Sequence, residues 1–270
     1  MDDQQIKLCV AGACGRMGQR LLALAAEDET FVITSALERA DHPSVGQDIS
    51  ATIGLSDALA VTADLAKCVA GCDVLVDFTM PEATLEHLKA AVKARKTMVI
   101  GTTGFTDEQR SRLQDLAARI PAVVAANMSL GVNVLFALTD YAARILGEGF
   151  DLEIVEAHHR LKKDAPSGTA RRLAEILAQR RGLETSDSLR HGREGMVGAR
   201  PADEIGVHAV RGGDIVGDHT VVFAGLGERI ELVHRAHSRD TFVRGALRAA
   251  KFIVKQKPGI YNMQQVLGLK

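Results

Sequence analysis

Two adjacent histidines, an arginine and two lysines fall close together in Glu156-Ala157-His158-His159-Arg160-Leu161-Lys162-Lys163-Asp164-Ala165-Pro166-Ser167-Gly168-Thr169-Ala170. Cations at this density suit a small anion, held by charge-assisted hydrogen bonds. Pro-Ser-Gly-Thr reads as the opening of a helix, whose free N–H groups would add donors for the same anion. His158 and His159 supply groups that exchange protons near neutral pH. Singly, each residue has a plainer reading: paired lysines are usually a solvated surface, and a lone histidine is more often structural. Together, just past the strand-like run Leu152-Glu153-Ile154-Val155, they read as a proton-transfer and anion-binding site.

A second chemistry lies near the N-terminus. The apolar run Ile6 to Ala11 leads directly into Gly12-Ala13-Cys14-Gly15-Arg16-Met17-Gly18, and Met17, Leu21, Leu22 and Ala25 then fall on one helix face. Strand, glycine turn and helix form the context of a dinucleotide fingerprint. Gly12 would permit the tight turn, Gly15 the approach of backbone to a pyrophosphate, and Gly18 the packing of helix on strand. The spacing is G-x-x-G-x-x-G rather than the commoner G-x-G-x-x-G. A second strand, Phe31 to Leu37, ends at Glu38-Arg39. An acidic residue there binds ribose hydroxyls, and an arginine beside it can hold a 2′-phosphate, so both NADH and NADPH are expected.

The elements that must position these residues alternate. His42 to Ala60 reads as loop. Asp73 to Phe78 reads as a buried strand ending in Thr79, Pro81 as a helix start, Thr97 to Ile100 as a strand closed by Gly101-Thr102-Thr103-Gly104-Phe105, and Ala122 to Ala126 as another strand ending at Asn127. Thr106 with Gln109 matches a capping box. Alternating strands and helices predict a Rossmann-like, doubly wound parallel α/β sheet. In such a sheet Gly12–Met17, Glu38, Phe78-Thr79, Gly101–Thr103 and Ala125–Met128 share the edge that faces a cofactor. Beyond Asn127 the period predicts a long helix with Val134, Leu135, Leu138, Tyr141, Ala142 and Ile145 buried. After the histidine cluster comes a helix with Ala170, Leu173, Ala174 and Leu177 inward. The polar stretch Thr185 to Glu204 reads as a loop near the site. Ile205–Val210, His219–Ala224 and Arg229–Arg235 read as strands of a central α+β domain with an open mixed sheet, whose exposed face self-association would bury. A last helix carries Phe242, Ala246, Leu247, Ala250 and Phe252 and is expected to rejoin the first domain.

Composition narrows the function classes. With Lys+Arg 33 against Asp+Glu 34 in 270 residues, no global charge recruits nucleic acid or a membrane. The acidic, polar start Met1-Asp2-Asp3-Gln4-Gln5 argues against a targeting peptide, and no apolar run is expected to span a bilayer. Cys9, Cys14, Cys68 and Cys72 form no Cys-x-x-Cys pair and have no histidine at zinc-finger spacing. Reduced, non-ligating thiols in a cytoplasmic protein are therefore expected.

The segments GACGRMG, DFT, GTTGF, AANMSLGVN, EAHHRLKKDAPSGTA and GGDIVGDH resemble the 4-hydroxy-tetrahydrodipicolinate reductase (formerly dihydrodipicolinate reductase) family of the diaminopimelate route to lysine, over nearly the whole chain. The resemblance implies a dinucleotide-binding domain from residues 1–128 and 240–270, and a domain for substrate binding and oligomerisation from residues 129–239. It implies reduction of a small cyclic dicarboxylate by NADH or NADPH in a homotetramer, with no metal. His158 would be the catalytic acid/base and Lys162 its cationic partner. His159, Gly168 and Thr169 would bind substrate. Gly12, Ala13, Cys14, Gly15, Arg16, Met17, Glu38, Arg39, Gly101, Thr102, Thr103, Ala125, Ala126, Asn127 and Met128 would bind cofactor. Cys14 stands where many members have a small residue, and Met128 where Phe is expected. Another two-domain Rossmann dehydrogenase and a non-catalytic NAD(P)H sensor are the competing readings. An aldehyde dehydrogenase would need a nucleophilic cysteine in the second domain, and none follows Cys72.

Overall fold

The structure is a computed structural model that describes residues 5–269. The acidic start at residues 1–4 lies outside the described residues. In chain order the elements are β1 (Ile6–Ala11), α1 (Arg16–Ala26), β2 (Phe31–Leu37), α2 (Ser50–Ile53), β3 (Val61–Thr62), α3 (Leu65–Gly71), β4 (Val74–Asp77), α4 (Pro81–Ala94), β5 (Thr97–Ile100), α5 (Asp107–Ala117) and β6 (Pro121–Val124). Then come α6 (Leu130–Leu146), β7 (Asp151–His158), α7 (Gly168–Arg181), α8 (Thr185–Ser188), β8 (Leu189–His191), β9 (Ile205–Arg211), β10 (Gly217–Ala224) and β11 (Arg229–Ala236). The chain closes with α9 (Asp240–Ile253), β12 (Gly259–Tyr261) and α10 (Met263–Val266). Contacts divide it into two compact units: residues up to Ser129 with those from Phe242 onward, and Leu130–Thr241.

The first unit is built on a seven-stranded sheet in the order β12-β6-β5-β4-β1-β2-β3. Every pairing is parallel. Its central strands are covered on both faces, so they read as continuous apolar runs; all four residues of β4 are buried. Helices dock through Leu21, Leu22, Leu85, Leu88 and Leu113. Pro81 begins α4, and Thr106 with Gln109 forms the expected reciprocal capping box on α5. Because all strands run one way, the segments after β2, β1, β4, β5 and β6 line one edge in that order.

The second unit is an open mixed sheet in the order β11-β10-β7-β9-β8. β7 lies at its centre, antiparallel to β10 and parallel to β9. Side chains alternate across a strand. Leu152 and Ile154 of β7 therefore join Val207, Val221 and Phe223 beneath Val132, Leu135 and Phe136 of α6 and Leu173, Ala174 and Leu177 of α7. Glu156 and His158 point to that same face.

Three expectations are corrected here. On α6 the buried face is Val132, Asn133, Leu135, Phe136, Thr139 and Ala143, whereas Val134, Leu138, Tyr141 and Ile145 are exposed. The helix carries two apolar stripes, and periodicity alone does not say which one packs. By length and composition, Leu130–Gly149 also passes the test for a membrane-crossing helix, which no run was expected to do; one of its faces packs in the core of this unit, as a core helix does. The stretch from Thr185 to Glu204 opens with α8 and β8, and only residues 192–204 form the expected loop. That loop is not near the histidines: Arg193 and Arg200 are tied to Glu153 near the start of β7, the end remote from His158. The reading of His42 to Ala60 as loop misses only the short α2.

Candidate active site

His158 closes β7 and is buried. Its Nδ1–H donates to Glu156 Oε2 at 2.5 Å, because an ionised carboxylate only accepts. Glu156 is fully buried, with 0% exposure. Arg211 donates to both its oxygens, each at 2.8 Å, and the Ser167 N–H donates to Oε1 at 3.1 Å. Burial pulls the Glu156 carboxyl upward, but Arg211, His158 and Ser167 outweigh it and hold it below its ordinary range. With Nδ1 so held, Nε2 is the nitrogen of His158 left to exchange protons. Burial lowers the His158 pKa; Glu156 raises it again, and the charges of Lys162 and Arg211 lower it, leaving it below the ordinary value. Lys162 Nζ lies 2.9 Å from Asp164 Oδ1.

Ser167 caps α7, its Oγ accepting from the Ala170 N–H at 3.2 Å. Gly168 opens the helix and is exposed, with nothing within 4 Å of where a Cβ would stand; Thr169 and His159 are half-buried. The same Ser167 Oγ lies 3.2 Å from Nε2 of His219, which is 3% exposed. The His219 ring stands edge-on to His158, centroids 5.2 Å apart. Burial, then the neighbouring His158, pushes the His219 pKa down to about 3, so this ring stays neutral. Glu156, Arg211 and His219 were not singled out from sequence. Glu156 could have been, since residues two apart on a strand share a face; Arg211 and His219 arrive from β9 and β10 through topology alone.

In the first unit Gly12 adopts φ +69°, and the Gly15 N–H donates to the Gly12 carbonyl at 2.9 Å. A Cβ on Gly18 would overlap that carbonyl, which is the close helix–strand packing expected of the third glycine. Ala13 is buried and its N–H donates to Leu37 O at 3.1 Å; Arg16 and Met17 begin α1. Glu38 follows β2 and accepts from the Cys14 N–H at 3.0 Å and from the Arg39 N–H at 3.1 Å. Arg39 is exposed, 3.4 Å from Asp41. Thr102 is buried, Thr103 exposed and Gly101 packed under the Phe78 ring. After β6, Ala125 and Asn127 are half-buried, Ala126 is exposed and Met128 is buried in the core. All four cysteines are free thiols. Cys14, Glu38 and His42 bring ligand-type atoms within 4.8 Å of one another. Of these, Glu38 accepts two backbone N–H groups and His42 Nδ1 accepts from the Ser44 N–H.

This strand order, with its glycine turn at the junction of β1 and α1, defines a Rossmann-type dinucleotide-binding fold carrying a second α+β unit. Two family models match almost end to end: "Dihydrodipicolinate reductase, N-terminus" over residues 6–128 and "Dihydrodipicolinate reductase, C-terminus" over residues 131–267. The chain belongs to the dihydrodipicolinate reductase family and is an NAD(P)H-dependent oxidoreductase. It is 53% identical to the 4-hydroxy-tetrahydrodipicolinate reductase of Geotalea uraniireducens and 54% identical to that of Syntrophotalea carbinolica, in each case over 98% of this chain and 100% of the other. Among solved structures, a dipicolinate-bound dihydrodipicolinate reductase from Paenisporosarcina sp. TG-14 superposes with a TM-score of 0.75 at 28% identity, covering 97% of this chain and 99% of that one. A scyllo-inositol dehydrogenase from Lactobacillus casei, at 12% identity and a TM-score of 0.57 over 99% of this chain and 93% of its own, shares the fold alone.

Proposed function

We propose that this chain reduces 4-hydroxy-tetrahydrodipicolinate to tetrahydrodipicolinate, with loss of water, and that His158 is the proton donor. The observation that carries this reading is the buried Glu156–His158 pair beside Lys162 and the start of α7. The hydroxy intermediate loses water to give a conjugated imine. The reduced nicotinamide supplies the hydride. Negative charge develops as the imine is reduced, and His158 Nε2 delivers the proton that completes the step. Lys162 and Arg211 disfavour the charged imidazolium, so that proton leaves readily. Glu156 keeps Nδ1 protonated and Nε2 in the reacting role. Lys162 or Lys163, and the N–H groups of Gly168 and Thr169, hold the two carboxylates, each contact worth about 1.5–3 kcal/mol. His159 contributes a further contact.

The first unit is the cofactor unit. Gly12 to Met17 cradle the pyrophosphate, Glu38 meets the ribose hydroxyls, and Arg39 can hold a 2′-phosphate, so both NADH and NADPH serve. Gly101 to Thr103 and Ala125 to Met128 complete that edge. The second unit binds substrate and joins copies into a homotetramer through its outer sheet face, where Val155, Val210 and Val233 are exposed. Free thiols suit a cytoplasmic setting.

The test is cofactor oxidation. NADPH, then NADH, absorbance is followed while a synthase supplies the unstable substrate from pyruvate and aspartate semialdehyde. Rapid enzyme-dependent loss supports the reductase. No loss with either cofactor, in protein that binds them, would favour a sensor or another dehydrogenase.

A further inference from the structure

A second buried carboxylate, in the first unit, has no part in the chemistry above. Asp77 ends β4 and is fully buried. Its Oδ1 accepts from Thr79 N–H at 2.8 Å and Thr79 Oγ1 at 2.6 Å, with Thr84 Oγ1 at 3.2 Å and Thr102 Oγ1 at 3.3 Å. The Thr84 and Thr102 hydroxyls are 2.7 Å apart. Its Oδ2 lies 2.7 Å from His87 Nδ1 on α4. One carboxylate thus ties together the end of β4, the first half of α4 and the loop after β5.

That corner touches two segments assigned above to the cofactor. The Gly101 N–H donates to the Asp77 carbonyl at 2.9 Å, and the Phe78 ring occupies the space over Gly101. The Thr79 methyl lies 2.9 Å from where a Cβ on Gly12 would stand. A buried carboxylate with its polar partners is a poor way to stabilise a core, which apolar residues of the same volume would serve as well or better. A satisfied polar network instead fixes one arrangement of the groups it joins. Here the joined groups lie beyond β4 and β5, and the Thr79 methyl meets Gly12 across the switch point between β1 and β4, where dinucleotides bind.

We propose that His87, acting through Asp77, is a positioning residue for the dinucleotide site; this rests on the placement of the cofactor along that edge. Without the imidazole, Asp77 Oδ2 loses its donor, and Thr79 and Thr102 lose the fixed carboxylate that sets their hydroxyls. The glycine turn and the Gly101–Thr103 loop then no longer keep their spacing for a bound dinucleotide. The geometry of the second unit is untouched.

The experiment is titration of the full-length protein with NADPH, alongside steady-state kinetics and thermal melting. His87→Ala should raise the NADPH Kd and KM by about tenfold, the scale of a buried carboxylate losing one donor. Its kcat at saturating NADPH should stay near wild type. His87→Asn, whose amide N–H can replace the Nδ1 donor, should recover most of the affinity. A purely structural His87 would lower the melting temperature while the Kd of His87→Ala stayed at the wild-type value, and that result overturns the proposal. Should His87→Ala fail to fold, Thr84→Val interrupts the same network: a raised Kd supports the proposal and a wild-type Kd overturns it. Gly12→Val separates the two readings. If it leaves NADPH binding intact, the cofactor placement itself is wrong and the proposal falls with it. If it abolishes binding while His87→Ala does not affect it, positioning by His87 fails alone.

Discussion

Glu156 Oε2 accepts from His158 Nδ1 at 2.5 Å while Oε1 of the same carboxylate accepts from the Ser167 N–H, so the proton donor and the start of α7 share one anchor. The orientation of the imidazole and the start of α7, the proposed seat for a substrate carboxylate, are therefore set together. Arg211 keeps the anchor ionised although its carboxylate is fully buried.

His158→Gln keeps a polar side chain but removes the proton. It should lower kcat by about 10²–10⁴, the usual contribution of general acid catalysis, while NADPH affinity stays at the wild-type value. Single-turnover rates and a cofactor titration measure the two quantities. A variant turning over at nearly the wild-type rate would remove His158 from the proposed role.

The pH profile follows from the direction of the His158 shift. A donor must be protonated before reaction, so activity falls as pH rises through its pKa. That pKa lies below the ordinary histidine value of 6.5, and the alkaline limb should begin below 6.5 as well. Lys162→Met removes a charge that lowers it and should move the limb up. Glu156→Gln removes a group that raises it and should move the limb down. Shifts of opposite sign to these, in profiles of kcat/KM against pH, which report the free enzyme, would contradict the electrostatics of the cluster.

His219 couples stability to pH. It titrates near 3 in the folded chain against 6.5 when unfolded. Between those values the unfolded chain binds a proton that the folded chain does not. Stability should therefore fall as pH drops from 6.5 towards 3, by at most about 1.4 kcal/mol per pH unit from this group. Carboxylates held low, such as Glu153, add their loss only below the ordinary 4.5. Urea denaturation between pH 6.5 and 4.5 isolates the histidines. His219→Gln can keep the bond to Ser167 and should flatten the slope; the lowered His158 and His234 leave a residue of it.

Glu153 sits on the opposite face of β7 from Glu156, where Arg193, Arg200 and His208 converge on it. Burial raises its pKa, but these donors outweigh burial and hold it at about 2. Glu153→Gln should cost about 1.5–3 kcal/mol of stability, the range for hydrogen bonds to charged groups, measured by urea denaturation. Turnover should be nearly unchanged, because these arginines lie at the other end of the strand from His158. A large loss of kcat with intact stability would return the Thr185 to Glu204 stretch to the site.

The sequence made some of this legible and hid the rest for physical reasons. β1, β2 and β5 fall within the bounds marked for them; β1 and β5 are nearly continuous buried apolar runs, whereas β2 is only partly buried along its middle. The roles of Gly12 and Gly18 followed from steric demands a sequence displays directly. Which stripe of α6 packs did not follow, because Val134, Leu138, Tyr141 and Ile145 repeat with the same period as the buried set. The partners of Glu156 and Ser167 come from residues 55 and 52 positions away. Such pairings are fixed by strand order, and no local spacing records them.

The first unit takes its final helix from beyond the second: a Cβ on Gly245 of α9 would run into the Met128 carbonyl, Lys251 reaches Asp28 at 2.6 Å, and β12 pairs with β6. During synthesis the continuous second unit is complete while the nucleotide unit still lacks α9 and β12. Units tend to fold as they emerge, so the proton-donor cluster can be assembled before the fold that holds the reductant is closed. A nascent chain stalled short of Phe242 would hold a finished β7 cluster while β6, still without β12, remained an unpaired sheet edge.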